Sequence, residues 1–232
     1  MGWGSRQLDK LDRHLCRLGL LTPASWDDVR TGAVTRLYAG SLDRADTHFT
    51  GYYGMRLSAP SRRNLVHDIS LPLPIADNTI DRFMAEDVLE YPPYDVFPAI
   101  LNEIYRVLKP GGRFRMSVPD FRNQLYRDRS LKANDGTILF DPVGGGRFVD
   151  GKVVDGGITW FPVYEPVKAA YDASRFGCEG YVEFLHYTDV NGISVLTDID
   201  HSLGPVRRTP DFDARAQNPR RSLSIVVDAL KP

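Results

Sequence analysis

The chain has 232 residues, 42% hydrophobic and 25% charged, so it can bury a core of its own and lies at the upper end of the usual single-domain size. Its 29 basic and 30 acidic residues leave a formal net charge of −1, which gives no overall attraction to nucleic acid or to an anionic membrane. The two cysteines, Cys16 and Cys178, have no metal-ligand spacing and argue against a disulfide framework. We expect one domain spanning 1–232, with no metal, in a reducing, cytoplasmic setting.

The N-terminal region predicts a helix. Four leucines recur there at helical spacing, namely Leu8, Leu11, Leu15 and Leu18. The pattern predicts an amphipathic helix from about Arg6 to Leu18 that ends near Gly19. Charged residues interrupt the apolar run, so we expect neither a signal peptide nor a membrane span. Residues 1–30 are interpreted as a helical cap on the domain.

Apolar runs, turn signals and helical patterns alternate along the next ninety or so residues. Strands are predicted within 35–40, 51–55, 64–69 and 80–87, and helices around 26–30 and over 94–108. A further strand within 113–119 follows the second helix, and the chain closes with two alternating segments within 180–190 and 221–230. Strands that alternate with helices predict an α/β fold with a doubly wound, mostly parallel sheet.

Residues 121–161 differ from this pattern because they are rich in glycine and in short β-type runs. Asp150 and Gly151 lie between two such runs, and this pair is the residue choice of a tight hairpin turn with positive φ at both positions. We interpret residues 121–161 as a β-hairpin insertion. It is either an inert surface hairpin or a lid over a substrate.

Two sequence segments are specific enough to suggest a family. They are "HDISLPLPIADNTIDRFMAEDVLEY" at 67–91 and "EIYRVLKPGGRFRMSVPD" at 103–120. Together they resemble the central part of the class I methyltransferases that depend on S-adenosylmethionine (SAM), over roughly Arg36 to Asp120. The closing segment "SLSIVVDAL" is similar to the last strand of that family. The resemblance implies a Rossmann-like, seven-stranded sheet with an antiparallel final hairpin, and SAM as cofactor.

The resemblance places the cofactor loop at "AGSL", residues 39–42. Ala39, Gly40 and Ser41 match the family loop, whose glycines let the backbone approach the amino-acid half of SAM. Leu42 stands where a second glycine is expected. Because leucine resists positive φ, the loop either follows another path or covers part of the pocket.

The resemblance also assigns cofactor contacts after the second and third strands. Arg56 stands where relatives carry an acidic residue for the ribose, and a guanidinium cannot accept those hydrogen bonds. Either the ribose is held differently, or Arg56 points at a phosphate or carboxylate. An alignment slip or a solvent-facing arginine is the alternative. Asp68 is placed to accept from the adenine amino group, and Ile69 offers backbone and apolar contact.

The segment after the fourth strand is the predicted catalytic region. Glu86 and Asp87 lie where the sulfonium end of SAM and the acceptor would meet, so Glu86 is also a predicted cofactor contact. A carboxylate there stabilises the cation, binds an acceptor amine or takes its proton. The alternative is a role in stabilising a helix N-terminus. Tyr91 is predicted to close the pocket.

The C-terminal half offers weaker candidates. His186 and His201 lie where acceptor residues of such enzymes often occur, although a lone histidine is more often structural. Several arginines make residues 207–221 locally basic, namely Arg207, Arg208, Arg215, Arg220 and Arg221. The segment is interpreted as a solvated loop, with a pocket for an anionic acceptor as the sharper alternative.

The favoured hypothesis is a SAM-dependent methyltransferase that acts on a small molecule, with no nucleic-acid or membrane partner. One alternative keeps SAM and changes the reaction to internal cyclisation or elimination, because the sulfonium activates all three of its carbon substituents. Another is a non-catalytic scaffold that has lost the cofactor, for which Leu42 and Arg56 are the supporting residues. The acceptor and the oligomeric state do not follow from the sequence.

Overall fold

The structure is a computed structural model that describes residues 3–43 and 46–232. The helices are α1 (Trp3–Arg17), α2 (Trp26–Arg30), α3 (Phe97–Val107), α4 (Gln124–Arg129), α5 (Tyr164–Ala173) and α6 (Arg175–Glu179). The first strands are β1 (Arg36–Ala39), β2 (Tyr53–Arg56), β3 (Asn64–Val66), β4 (Ile80–Glu86), β5 (Leu108–Pro119) and β6 (Leu131–Lys132). The remaining strands are β7 (Ile138–Phe140), β8 (Arg147–Val149), β9 (Lys152–Val154), β10 (Tyr181–Thr188), β11 (Ser194–Leu196) and β12 (Ser224–Leu230).

Eight strands form the main sheet in the order β3-β2-β1-β4-β5-β12-β10-β11. The first five in this order are parallel, whereas β12, β10 and β11 pair antiparallel. The predicted α/β fold with an antiparallel final hairpin is confirmed, and β11 adds an eighth strand at one edge. The chain reverses its direction of strand addition between β1 and β4, which is where open α/β sheets bind ligands.

One face of the sheet is apolar and carries the main core. Alternate residues of the central strands point to this face, among them Leu37, Phe83, Phe114 and Val227, and all four are fully buried. Helix α3 packs there with the apolar stripe predicted from its sequence, and α5 and α6 contact α3. Burial of this stripe stabilises the fold because it removes a contiguous apolar surface from water.

The opposite face of the sheet is more polar. Loop residues 41–43, 46–52 and 197–209 pack on it, with small apolar clusters around Tyr38 and Val226. Between these clusters lies Arg115, whose Nε and Nη2 donate to the two carboxylate oxygens of Asp228, each at 2.7 Å. Its Nη1 donates to the carbonyls of Asp200 and Gly204, so the buried guanidinium anchors the loop to the sheet.

Helix α1 forms where it is predicted, and the side that carries most of its leucines is exposed. Leu8, Leu11 and Leu18 are 41%, 49% and 58% exposed, whereas Asp12 is 3% exposed. The leucine stripe therefore does not pack into the core. No helix among the described residues is both long and apolar enough to cross a membrane.

The insertion contains two small antiparallel ribbons, β6 with β7 and β8 with β9. Asp150 and Gly151 join β8 to β9 with φ values of 49° and 78°, which confirms the predicted hairpin turn.

Candidate functional site

A cavity of about 690 Å³ opens at the carboxyl ends of β1, β2, β3 and β4. It brings together seven of the predicted site residues, namely Ala39, Gly40, Ser41, Arg56, Asp68, Ile69 and Tyr91. Glu86 and Asp87 are not among its lining residues. Because it opens at these strand ends, the cavity lies where the order of strand addition reverses, and open α/β sheets bind ligands at this point.

The loop after β1 requires glycine at position 40. Gly40 has a φ of 112°, and a Cβ there would lie 3.1 Å from Cε1 of Tyr38 and 3.2 Å from Cγ2 of Val88. Any other residue would be strained by this φ and crowded by both side chains. Gly40 thus brings bare backbone to the cavity wall.

Leu42 follows a path that leads away from the cavity. Its N–H donates to Oδ1 of Asn64 at 2.7 Å, and Nδ2 of Asn64 donates back to its carbonyl at 2.9 Å. The leucine side chain is buried with Tyr38 and Phe49. A Cβ at Gly54 would overlap Asn64 Oδ1, so glycine in β2 makes room for this clamp. Of the two predicted outcomes for Leu42, the structure shows the first.

Arg56 points at a carboxylate on α1. Its Nη1 and Nη2 lie 3.1 and 3.3 Å from Oδ1 and Oδ2 of Asp9, and its side chain is only 15% exposed. A solvent-facing arginine is therefore ruled out. Nε of Arg13 lies 3.2 Å from the same Asp9, so one acidic residue serves two arginines and fixes α1 against the end of β2.

Asp68 and Ile69 form the wall of the cavity after β3. Oδ1 of Asp68 accepts from the backbone N–H of Ser70 at 2.9 Å and from its hydroxyl at 2.7 Å. Within the described residues no group bonds its second oxygen, Oδ2, which is left to accept from a ligand amino group. Ile69 is 7% exposed and belongs to the main core.

Glu86 is held on the polar face of the sheet by Arg207. Oε1 of Glu86 accepts from the Arg207 backbone N–H at 2.6 Å, and Oε2 accepts from its Nε at 2.7 Å. Arg207 Nη2 also donates to the Tyr38 hydroxyl at 3.0 Å. Burial, reinforced by the Glu86 charge, raises the pKa of Tyr38. The structure thus places Glu86 in an ion pair outside the cavity lining.

Asp87 is the more unusual carboxylate. Its φ of 57° is rare for a residue with a side chain, and such strain often occurs at functional sites. Oδ2 lies 3.0 Å from Nη2 of Arg208, while the buried Oδ1 has no hydrogen-bond partner among the described residues. Burial raises the pKa of Asp87 to about 6 against the opposing charge of Arg208, and Glu86 adds to the rise.

Glu90 is a functional candidate that the sequence analysis missed. It is 1% exposed, and its Oε2 has no hydrogen-bond partner in the described part of the chain. Burial, with the charge of Asp87, holds the pKa of Glu90 well above its usual range. The available signal was an acidic residue three positions after Asp87 within the apolar run "VLEY".

Tyr91 connects this acidic pair to the cavity. It lines the cavity and is 41% exposed. Burial, then the charges of Glu90 and Asp87, raises its pKa, so the phenol stays neutral and can donate a hydrogen bond at physiological pH.

The insertion forms the wall opposite the cofactor loop. Residues 153–157 and Thr159 line the cavity. The Thr159 N–H donates to the carbonyl of Glu90 at 3.0 Å, and its hydroxyl donates to the carbonyl of Pro92 at 3.0 Å. Trp160 Nε1 donates to the carbonyl of Leu89 at 3.0 Å. The insertion is therefore anchored to the segment that carries Glu90 and Tyr91.

The weaker C-terminal candidates lie elsewhere. His186 is buried on β10, bonds the carbonyl of Thr197, and has a pKa that burial lowers. His201 pairs with Asp211 at 3.0 Å. Neither histidine lines the cavity. In the basic segment Arg207 is exposed, as the solvated-loop interpretation predicts, but Arg207 and Arg208 also form ion pairs with Glu86 and Asp87 at the end of β4.

In residues 3–43 and 46–232, no cluster of three or more histidine, cysteine or acidic side chains could hold a metal ion. The groups with shifted pKa values near the cavity are instead carboxylates and tyrosines, which act by hydrogen bonding and charge.

Comparisons with known proteins agree with this architecture. The family model described as "Methyltransferase domain" matches residues 32–116. No curated protein matches the chain. Among solved structures, a SAM-dependent methyltransferase of Methanosarcina mazei is 14% identical, with 84% of this chain and 91% of that chain covered and a TM-score of 0.44.

Two further similar structures come from different organisms. A putative methyltransferase of Haloferax volcanii, in complex with the activator Trm112, is 18% identical, with 99% and 93% of the two chains covered and a TM-score of 0.47. The 1,6-didemethyltoxoflavin-N1-methyltransferase of Burkholderia thailandensis, with its substrate and S-adenosylhomocysteine bound, is 13% identical, with coverages of 96% and 84% and a TM-score of 0.40. The family match contains the loop at 39–42, the Asp68 turn and Glu90, and it lies on β1 to β5 of the doubly wound sheet. Over residues 32–116 the chain therefore matches the methyltransferase domain family, in agreement with the predicted resemblance to SAM-dependent methyltransferases.

Proposed function

We propose that this protein is an enzyme that transfers a methyl group from SAM to a small-molecule acceptor. The observation that carries the proposal is the single cavity of about 690 Å³ in which the loop at 39–41 and the turn at Asp68 and Ile69 face one space. Both segments lie within the matched residues 32–116. The volume falls within the roughly 300–1,000 Å³ typical of ligand pockets.

The residues of the cavity fit SAM. Gly40 lines the cavity with backbone alone, which would let the amino-acid half of the cofactor approach closely. Asp68 would accept from the adenine amino group through Oδ2, and Ile69 would contact the apolar face of the base. Arg56 is a donor only and is paired with Asp9, so it would not replace the ribose acceptor that relatives carry at this position.

The cofactor supplies a methyl group activated by the positive sulfonium, and the protein supplies position. Bound SAM would give its methyl group to the acceptor atom, the electrons of the carbon–sulfur bond would remain on sulfur, and the acceptor atom would give up a proton. Tyr91 can orient the acceptor through its hydroxyl. Asp87 lies outside the cavity lining, but with a pKa of about 6 it would be mostly ionised near neutral pH and would be the carboxylate that takes up that proton.

The acceptor side of the cavity supports a small molecule. Val153, Val154 and two glycines of the insertion form much of that wall, so an acceptor would meet a mostly apolar surface. The near-neutral net charge of −1 gives no electrostatic basis for nucleic-acid binding. We include in the proposal that residues 1–232 form one domain, that residues 121–161 act as a lid, and that the protein works in the cytoplasm.

Calorimetry with SAM and with S-adenosylhomocysteine tests the cofactor site. We expect saturable binding of both, and Asp68→Asn should weaken it by about tenfold, because one charge-assisted hydrogen bond is lost. Asp95→Asn is the matched control, because Asp95 is exposed and lies outside the cavity lining. Absence of binding to the wild-type protein would contradict the proposal and favour the scaffold hypothesis.

The reaction is tested with SAM carrying a labelled methyl group and a panel of small amines, phenols and carboxylic acids. We expect label in one acceptor class and equal formation of S-adenosylhomocysteine. Incubation with SAM alone separates the alternative chemistry, since methylthioadenosine formed above the uncatalysed rate indicates internal displacement or elimination and not methyl transfer.

A further inference from the structure

Helix α1 presents its charged side to the body of the protein. Asp9, Asp12, Arg13 and Cys16 recur at helical spacing on this side, while Leu8, Leu11 and Leu18 on the other side are at least 41% exposed. A helix that served only to cover a core would have the reverse orientation. The inward charged side therefore indicates that α1 contributes polar groups to something other than packing.

A second cavity, of about 480 Å³, lies between α1 and the segment after β2. Its lining includes Arg13 and Arg17, one helical turn apart, together with Cys16, Ser58 and Pro60. No acidic side chain lines it among the described residues. Ser58 also lines the cofactor cavity, so the two spaces are neighbours.

The charges around this second cavity leave an excess of positive groups. Asp9 is shared between Arg13 and Arg56. In the described part of the chain Arg17 forms no ion pair, and Nε of Arg13 is buried without a hydrogen bond even though Asp9 lies within 3.2 Å. The Arg62 charge also acts here, since it opposes the rise that burial and Asp12 cause in the pKa of Cys16.

We propose that this second cavity binds the phosphate group of a small molecule through Arg13 and Arg17, with the hydroxyl of Ser58 as a further donor. Guanidinium groups suit this ligand because their planar, multidentate donors match phosphate oxygens and never lose their charge. The volume exceeds that of a phosphate ion, so the phosphate is part of a larger molecule. This inference does not rest on the proposed methyl transfer.

The test is calorimetry with inorganic phosphate and with glucose 6-phosphate, in a low-salt chloride buffer and in the absence of SAM. Wild-type protein should bind both, and the sugar phosphate should bind more tightly because it fills more of the cavity. Arg17→Gln should weaken both affinities by about tenfold or more. Arg17 is the suitable position because Asp9, and not Arg17, anchors α1 to Arg56.

Lys10→Gln is the matched control, since it removes one positive charge from the same helix outside the cavity lining. Circular dichroism and retained binding of S-adenosylhomocysteine would show that Arg17→Gln is folded. Equal weakening by both substitutions would mean non-specific attraction to a basic helix and would overturn the proposal, as would absence of phosphate binding to the wild-type protein.

Repeating the titration on protein saturated with S-adenosylhomocysteine shows which kind of ligand carries the phosphate. A change in sugar-phosphate affinity would mean that the phosphate belongs to a ligand that shares Ser58 with the cofactor cavity, because coupling between two sites is reciprocal. An unchanged affinity would mean a separate phosphorylated molecule. Both results support the site, whereas a failure of SAM binding with intact phosphate binding would contradict only the proposed function.

Discussion

The two faces of the main sheet are stabilised in different ways. On the face covered by α3, α5 and α6, buried apolar side chains such as Phe83 and Phe114 meet edge to face. On the opposite face, Arg115 and Asp228 form a buried pair and the buried Glu86 pairs with the exposed Arg207, and both pairs hold the loop at 197–209. The apolar face gives the domain its stability, whereas the polar face fixes charged groups beside the cavity.

The largest effect should follow from breaking the buried pair on the polar face. Asp228→Ala leaves the guanidinium of Arg115, whose side chain is 2% exposed, without its carboxylate. We expect a loss of about 3–5 kcal/mol in the free energy of unfolding, measured by urea denaturation. Asp95→Ala, at an exposed position, should change it by less than about 0.5 kcal/mol. A loss for Asp228→Ala no larger than that of this control would contradict the assigned role of the pair.

A truncation on the apolar face should lower the free energy of unfolding by a somewhat smaller amount, and it should leave the cofactor cavity intact. Leu101→Ala removes a fully buried side chain of α3. The expected loss is about 3 kcal/mol, the sum of lost burial and a cavity. Affinity for S-adenosylhomocysteine should stay unchanged at temperatures where the variant is folded. A specific loss of affinity would show that the two faces are less separate than described.

The acidic pair at the end of β4 should make stability depend on pH. Burial raises the pKa of Asp87 from 3.8 to about 6 and that of Glu90 above its usual range, so the folded state holds these protons more tightly than the unfolded state. The stabilisation that this tighter proton binding gives is fully present below about pH 4, and it is lost as pH rises through the pKa values of the folded state.

For Asp87 this loss amounts to about 2 kcal/mol between pH 4 and pH 7. Urea denaturation across this range measures it. Asp87→Asn should remove most of the loss, and Glu90→Gln should remove a further part. An unchanged pH dependence in both variants would mean that neither carboxyl group has a raised pKa.

Sequence patterns predicted the elements that depend on local periodicity. The apolar stripe over 94–108 predicted α3, and alternation predicted β1, β4 and β12. The orientation of α1 could not be predicted, because the leucine periodicity shows which residues share a side but not which side meets the body. That choice depends on Arg56, which is distant in sequence and pairs with Asp9.

The position of a site residue could be predicted where the residue belongs to one local motif. It could not be predicted where it depends on contact between two distant segments of the chain. Gly40, Asp68 and Tyr91 follow the ends of β1, β3 and β4, and parallel strands bring such ends to one edge. The pairing of Glu86 with Arg207 joins residues 121 positions apart, and no local pattern encodes it. The path of Leu42 depended in the same way on Asn64, since the amide clamp exists only once β2 and β3 are paired.

The smallest expected effect tests whether the polar face is stabilised by the burial of Arg115 or simply by positive charge next to Asp228. Arg113 and Arg115 lie two residues apart on β5, and both pair with Asp228. The Arg113 contact is 3.3 Å long and its side chain is 34% exposed, against 2% for Arg115. Arg113→Gln should therefore cost only about 0.5 kcal/mol in urea denaturation, because solvent screens an exposed pair. If it cost as much as Asp228→Ala, the strength of this face would come from net charge around Asp228 and not from the burial of Arg115.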